Sequence, residues 1–284
     1  MNEKVIQARQ DIADLKQSIQ QTIEKNDAQS FQALFTEFMT SQIQEQWNFA
    51  TKNQTKTAEN RNEFIDRMLL LTIEKDAGDI LKVFHQNGVD LEKINIEERG
   101  GPIQYNLIQA AAQTNAVECI QALHDLGLDA DLTSSINDSS ALQWAVPCQN
   151  VDAFEKLLEF GADPNRVDSY DRTVLDMIFI EVYNYNKNIH QNFSDEKCNQ
   201  LLSHATDNAR QMIDLLNQHG YDFERKYNPT KSQKEPHNIL EKMKNFSVTK
   251  DLEPYWRKLL GHTEKIMLDK KVVVFAPRSN VREP

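Results

Sequence analysis

The sequence predicts an all-α fold made of repeated helix pairs, and three observations carry that prediction. A two-part block of small and apolar residues recurs about every 34 positions along the middle of the chain. Within each block the apolar residues sit at helical spacing, so they make one stripe on a helix. Each block then closes on a glycine, the residue that ends helices by adopting positive φ.

The best-formed block runs from Asn137 to Asn165. Its first half is Ser140-Ala141-Leu142-Gln143-Trp144-Ala145-Val146, in which Ala145 and Val146 are small enough for a second helix to pack closely. Its second half carries Val151, Phe154, Leu157 and Leu158 as the apolar stripe, and Gly161 as the stop. Two helices this short cannot bury both apolar faces alone, which predicts further copies on either side.

Those copies are present. Upstream, Asn106 to Ala112 repeats the first half and Ala122 to Asp129 the second, with Ile108 and Gly127 each about 34 residues before Leu142 and Gly161. Downstream, Arg172 to Ile178 opens another copy, but its closing half comes only at Met212 to Asp222. Gly220 lies about 59 residues past Gly161, so about 26 extra residues, roughly Val182 to Asp207, are expected inside this copy. They carry Tyr183, Tyr185, Ile189 and Phe193 and read as a local lid or a partner-binding element. A degenerate copy precedes the others, from Asn62 through Val83 to Asp90. Between it and the next, Glu92 to Arg99 lengthens the connecting loop.

These blocks resemble the ankyrin repeat, whose pattern is T-P-L-H-x-A-A in a first helix and L-L-x-x-G-A-D-x-N closing a second. Leu157-Leu158-Glu159-Phe160-Gly161-Ala162-Asp163-Pro164-Asn165 keeps the closing half nearly intact, while the Thr, Pro and His of the opening half stand as Ser140, Ala141 and Gln143. The resemblance implies a solenoid with repeats over 60–230. A helical hairpin would precede it over 1–59, and a helical cap and tail would follow over 231–284.

The flanks agree with that frame. Val5, Ile12, Leu15, Ile19 and Ile23 make an apolar side on a helix over residues 1–26, used against a neighbour or as a short coiled-coil seam. A second helix is expected from Ser30, as its cap, to about Ala50, after a break at Asn26-Asp27. At the other end, a helix holding Ile239, Leu240, Met243 and Phe246 precedes one over Leu252 to Leu260 that Gly261 should stop. The tail Lys271 to Pro277 is strand-like in composition.

Composition narrows the function. The net charge of −11 over 284 residues argues against nucleic acid or an anionic membrane surface as partner. No stretch is apolar enough to span a membrane. Three cysteines with no C-x-x-C pair fit reduced thiols, which points to a cytoplasmic setting. The seven histidines form no H-x-x-x-H and pair with no cysteine at metal-ligand spacing, so neither metal nor cofactor is expected. There is no G-x-G-x-x-G, P-loop or G-x-S-x-G. Cys148 falls where the resemblance places an exposed inter-helix loop, and a thiol nucleophile there would need a positioned histidine, which the sequence does not show. His124 and His219 fall near helix C-termini, where a cation favours the dipole. The chain therefore does not read as an enzyme.

What remains is a binding surface. The resemblance implies that the loop tips (fingers) and the exposed face of the first helices contact a protein partner. Carried onto this chain, the variable positions are Ile103, Tyr105 and Gln113 in one copy, Asn137, Ser139 and Cys148 in the next, and Ser169, Tyr170, Arg172 and Glu181 in the third. Tyr and Arg are the types that make interface hot spots. The Asn-, Gln-, Lys- and Ile-rich, glycine-poor composition resembles that of ankyrin-repeat effectors which intracellular bacteria deliver into host cells. By that analogy the partner is a host protein and the chain is secreted. The alternatives are an endogenous cytosolic scaffold, or an enzyme with its site outside the repeats. A monomer is expected.

Overall fold

The computed structural model describes residues 3–40, 43, 45, 61–97, 104–133, 138–189, 193–225 and 253–275. These are helical except for one small hairpin and the connecting turns. They fall into two compact units, residues 1–163 with 168–170, and residues 164–167 with 171–284.

The first unit is two parallel rows of helices. One row contains α1 (Glu3–Glu24), α3 (Arg61–Glu74), α5 (Leu107–Thr114) and α7 (Ala141–Ala145), each packed on the next. The other contains α2 (Ala28–Phe38), α4 (Gly78–Gln86), α6 (Val117–Asp125) and α8 (Val151–Glu159), again each on the next. The hairpin α1–α2 thus stacks on α3–α4 in the manner of one more repeat. Ile19 and Ile23 of α1 are fully buried, as are Phe31, Phe35 and Phe38 of α2. Phe84 of α4 meets Phe35 edge-on at 4.6 Å. The apolar side of α1 is therefore used within the chain.

Asp27 caps α2, accepting from the Ser30 amide at 3.0 Å, so Ser30 is a donor in the first turn and not the cap expected. The aspartate sits at the position where its carboxylate reaches the free N–H groups. The helix ends at Phe38, and the expected continuation to Ala50 lies largely outside the described residues.

The row of α4, α6 and α8 is capped differently. Ala77, Ala116 and Asn150 stand at their N-caps and none makes a side-chain cap bond. For α6 and α8 the cap arrives from the preceding repeat. Asp76 and Asn115 end the turns after α3 and α5 with φ of 50° and 58°. Asp76 accepts from the Cys119 amide of α6 at 2.8 Å, and Asn115 from the Ala153 amide of α8 at 3.0 Å. Asn and Asp tolerate this left-handed backbone and reach a neighbouring N–H from it. Each turn so fastens the next repeat.

The first helices of the repeats are capped locally. Asn106 and Gln109 make a reciprocal capping box, and Ser140 with Gln143 makes another. Gln109 also donates to the Ser139 carbonyl of the following repeat at 2.6 Å, and Asn106 to the Leu132 carbonyl at 2.8 Å. All four residues are buried. The drift from Thr and His to Ser and Gln thus keeps the polar function. Gly88, Gly127 and Gly161 take positive φ behind α4, α6 and α8, the stops expected.

In the second unit, α9 (Val174–Ile189) and α10 (Asp195–Gln218) pack as an antiparallel pair, and α11 (Glu253–Phe275) packs on α10. Thr173 and Asp176 repeat the capping box of α5 and α7, and Tyr221 donates to Thr173 at 3.0 Å. The expected insertion is not a separate lid. It lengthens both helices, so Asp195 to Ala205 is the first half of α10. The hairpin end then sits about 24 Å along α9 from the finger residue Thr173.

Gly261 does not stop α11, and Lys271 to Phe275 are helical rather than extended. Trp256, Leu259, Thr263, Ile266 and Met267 are buried at helical spacing across the glycine. That continuous packing outweighs the roughly 1 kcal/mol that an interior glycine costs a helix. Phe179 of α9 meets Trp256 edge-on at 5.2 Å, Lys258 pairs with Asp207 at 2.9 Å, and His262 with Asp214 at 2.8 Å. The expected helix over Ile239 to Phe246 lies outside the described residues.

Candidate protein-binding surface

The lengthened loop between the first two repeats folds as the antiparallel pair β1 (Asn95–Glu97) and β2 (Gln104–Asn106), with Ile96 opposite Tyr105. β2 runs directly into α5, so the capping box at Asn106 fixes the direction in which Tyr105 leaves the finger. Tyr105 is half-buried, and its ring meets that of Trp144 on α7 at 5.5 Å and 48°. An aromatic pair therefore bridges two successive repeats. Ser139 is the counterpart of Tyr105 in the next repeat, one residue before the N-cap, and it is small and half-buried.

Trp144, the partner of Tyr105, is not among the variable positions carried over from the resemblance. It occupies the position between Gln143 and Ala145, where the other repeats have Ala110 and Met177. A tryptophan there, one step outside the buried stripe, was the available signal. Its indole N–H is buried and meets no acceptor among the described residues. Such an orphaned donor costs about 1–3 kcal/mol.

The other expected residues divide by unit. In the first, Ser169 and Tyr170 are exposed on a finger, Tyr170 at 66%, with its amide held by the Asp168 carboxylate at 2.9 Å. Gln113 is half-buried at the end of α5, and its carbonyl accepts from Asn150 at 2.8 Å. Cys148 is exposed after α7. In the second unit, Arg172 and Glu181 are half-buried. Burial raises the Glu181 carboxyl above its usual range, opposed by the Asn184 side chain and the Arg172 charge. Ile103 and Asn137 lie outside the described residues.

Among the described residues, no three His, Cys, Asp or Glu side chains gather as metal ligands. Cys119 and Cys198 are buried, and burial pushes the Cys119 thiol far above its ordinary range. No described helix is long and apolar enough to cross a membrane.

The stacked helix pairs of the first unit are those of a helical repeat protein. Residues 69–168 match the sequence model of ankyrin repeats in three copies, roughly a third of the chain. The chain thus contains ankyrin repeats, a module that generally mediates protein–protein interaction. The hairpin α1–α2 and helices α9 to α11 lie outside the matched span. A search among curated proteins returns no match.

Proposed function

We propose that this protein recognises another protein without catalysing a reaction on it, through the finger tips and the half-buried side chains beside them, Tyr105, Gln113 and Trp144. The observation that carries this reading is the Tyr105–Trp144 pair. Two large aromatic side chains from successive repeats meet beside the capping boxes of α5 and α7, at the finger end of those helices. Aromatic residues there supply contact area at little entropic cost. Tyr170, Ser169, Ser139, Gln113, Arg172 and Glu181 complete the proposed contact set, with Ile103 and Asn137.

The setting in which we place this recognition is a bacterial effector engaging a host protein. Its support is the combination of ankyrin repeats with an Asn-, Gln-, Lys- and Ile-rich sequence holding only eight glycines. The chain acts as a monomer in the cytoplasm of the cell that receives it.

The test is an affinity capture from eukaryotic lysate with the parent and with a Tyr105→Ala/Tyr170→Ala/Arg172→Glu variant of unchanged melting temperature. One protein retained by the parent and lost by the variant supports the reading. The same protein retained by both moves the interaction elsewhere on the chain and refutes it.

A further inference from the structure

Asn87 is the one asparagine of the chain that precedes a glycine. In the other repeats the residue before the closing glycine is Leu126, Phe160 or His219, so the stack does not need an asparagine there. An Asn-Gly bond carries chemistry of its own, because glycine has no Cβ to keep its amide nitrogen off the asparagine side chain. The Gly88 nitrogen can attack Asn87 Cγ. The N–Cγ bond forms, the Cγ–Nδ2 bond breaks, and Nδ2 leaves as ammonia with the proton that the Gly88 N–H gives up. Water then opens the cyclic imide at either carbonyl, leaving aspartate or isoaspartate, and no other reactant is required.

The folded chain blocks that attack. The Asn87 ψ of 13° turns the Gly88 nitrogen toward Asn87's own nitrogen and away from Cβ. The attacking nitrogen is engaged as a donor, its N–H bonded to the His85 carbonyl at 2.9 Å. The side chain is held at both ends. Nδ2 donates to the Val83 carbonyl at 2.9 Å, and Oδ1 accepts from the Thr36 hydroxyl of α2 at 3.3 Å. The helix end that makes these bonds is itself packed on α2, where Phe31 and Phe35 meet Phe84 at 5.0 and 4.6 Å.

We infer that Asn87–Gly88 is a self-modification site that α2 holds shut. When the hairpin α1–α2 lifts from α4, the bond converts to aspartate or isoaspartate, and the change keeps the hairpin loosened. The product loses the Nδ2 donor to Val83 and puts a carboxylate at the end of α4, where the helix dipole disfavours it. The isoaspartate form also adds a methylene to the main chain before Val89, whose amide closes the turn on the Phe84 carbonyl at 3.1 Å.

The experiment incubates the full chain at mildly alkaline pH and follows the peptide containing residue 87 by chromatography and mass spectrometry, which separate asparagine, aspartate and isoaspartate. The parent in guanidinium chloride gives the unlocked rate. The folded parent should run at least about tenfold slower, because it reacts only through its open fraction. Phe35→Leu, which trims α2 against α4, should speed the folded protein's reaction by roughly fivefold. Phe154→Leu, the same trim of a fully buried ring on α8, should leave the rate within about twofold of the parent. Thr36→Val, at an exposed position, removes only the hydroxyl and should also speed the reaction, so it keeps the test valid if Phe35→Leu does not fold. Asn87→Asp should lower the melting temperature. Equal acceleration by the two phenylalanine variants means that the whole unit must unfold first, and overturns the gate. A folded rate equal to that in denaturant, or no conversion in denaturant, overturns the site. An Asn87→Asp chain as stable as the parent overturns the loosening.

Discussion

Asn115 gives the sharpest test of how the repeats are joined. Its backbone is left-handed at φ 58°, and its side-chain oxygen caps α8 by accepting the Ala153 amide at 3.0 Å, 38 residues away. Asn115→Ala removes the acceptor and places an ordinary Cβ residue in that backbone. The lost cap costs about 1 kcal/mol. The left-handed conformation adds about 1 kcal/mol for a residue without a side chain that bonds locally. Asn115→Gly loses the same cap but relieves the backbone, so it should cost only the first part. Urea denaturation followed by circular dichroism should therefore order the proteins as parent, Gly variant, Ala variant, in steps of about 1 kcal/mol each. The thermal midpoint should fall by roughly 4–8 °C for the Ala variant, given a unit of this size. Two variants within about 0.5 kcal/mol of the parent would refute the reasoning, because the cap would then be replaced by solvent at no cost. A Gly variant less stable than the Ala variant would refute the backbone half of it.

Other outcomes follow from single residues. Gly78→Ala should destabilise the first unit by about 2 kcal/mol or more in the same assay, because a Cβ there would lie 2.4 Å from the Glu118 carbonyl oxygen of α6. Trp144→Phe should be neutral or slightly stabilising, since it keeps an aromatic face and removes an orphaned buried donor; a loss above about 1 kcal/mol would show that the indole N–H is satisfied after all. Titration with a thiol reagent should find one fast-reacting cysteine, Cys148, in the native protein, and all three in urea. Because the folded state raises the Glu181 carboxyl, its contribution to stability is present below the usual glutamate range and is lost as pH rises through the folded value. Glu181→Gln should therefore stabilise the second unit relative to the parent at neutral pH and flatten its denaturation profile between acid and neutral pH.

The repeats were legible because their signals are local. Gly127 and Gly161 sit at the ends of apolar stripes, and Ser140 with Gln143 is a capping pair three residues apart, so short windows contain the physics. The fastening of one repeat to the next was not legible, since Asp76 reaches Cys119 across 43 residues and nothing near Asp76 marks it as a cap. The stacking of α1–α2 had no family signature to announce it. It needs only an apolar face and a turn residue with positive φ, which Asn26 provides at 51°. Around Gly261 a local rule gave the wrong boundary, because buried Thr263, Ile266 and Met267 continue the helix beyond it. Of the proposed surface, Tyr105 and Tyr170 follow from repeat register. Trp144 was not singled out, since periodicity does not say which edge of a stripe remains open.

That division of labour bears on what the surface is for. The polar groups that hold the stack are short, buried and of one kind: Asn106, Ser140 and Thr173 all cap first helices, and each is at most 2% exposed. One residue before them the chain has Tyr105, Ser139 and Arg172, which share no chemistry at all. The stack thus dictates the residue at one position and leaves its neighbour unconstrained. A surface serving only solubility would fill such free positions with small polar or charged side chains. Here one holds a tyrosine whose ring meets that of Trp144 in the next repeat. Large aromatic side chains at positions that the capping pattern leaves free are what the proposed recognition of another protein would use.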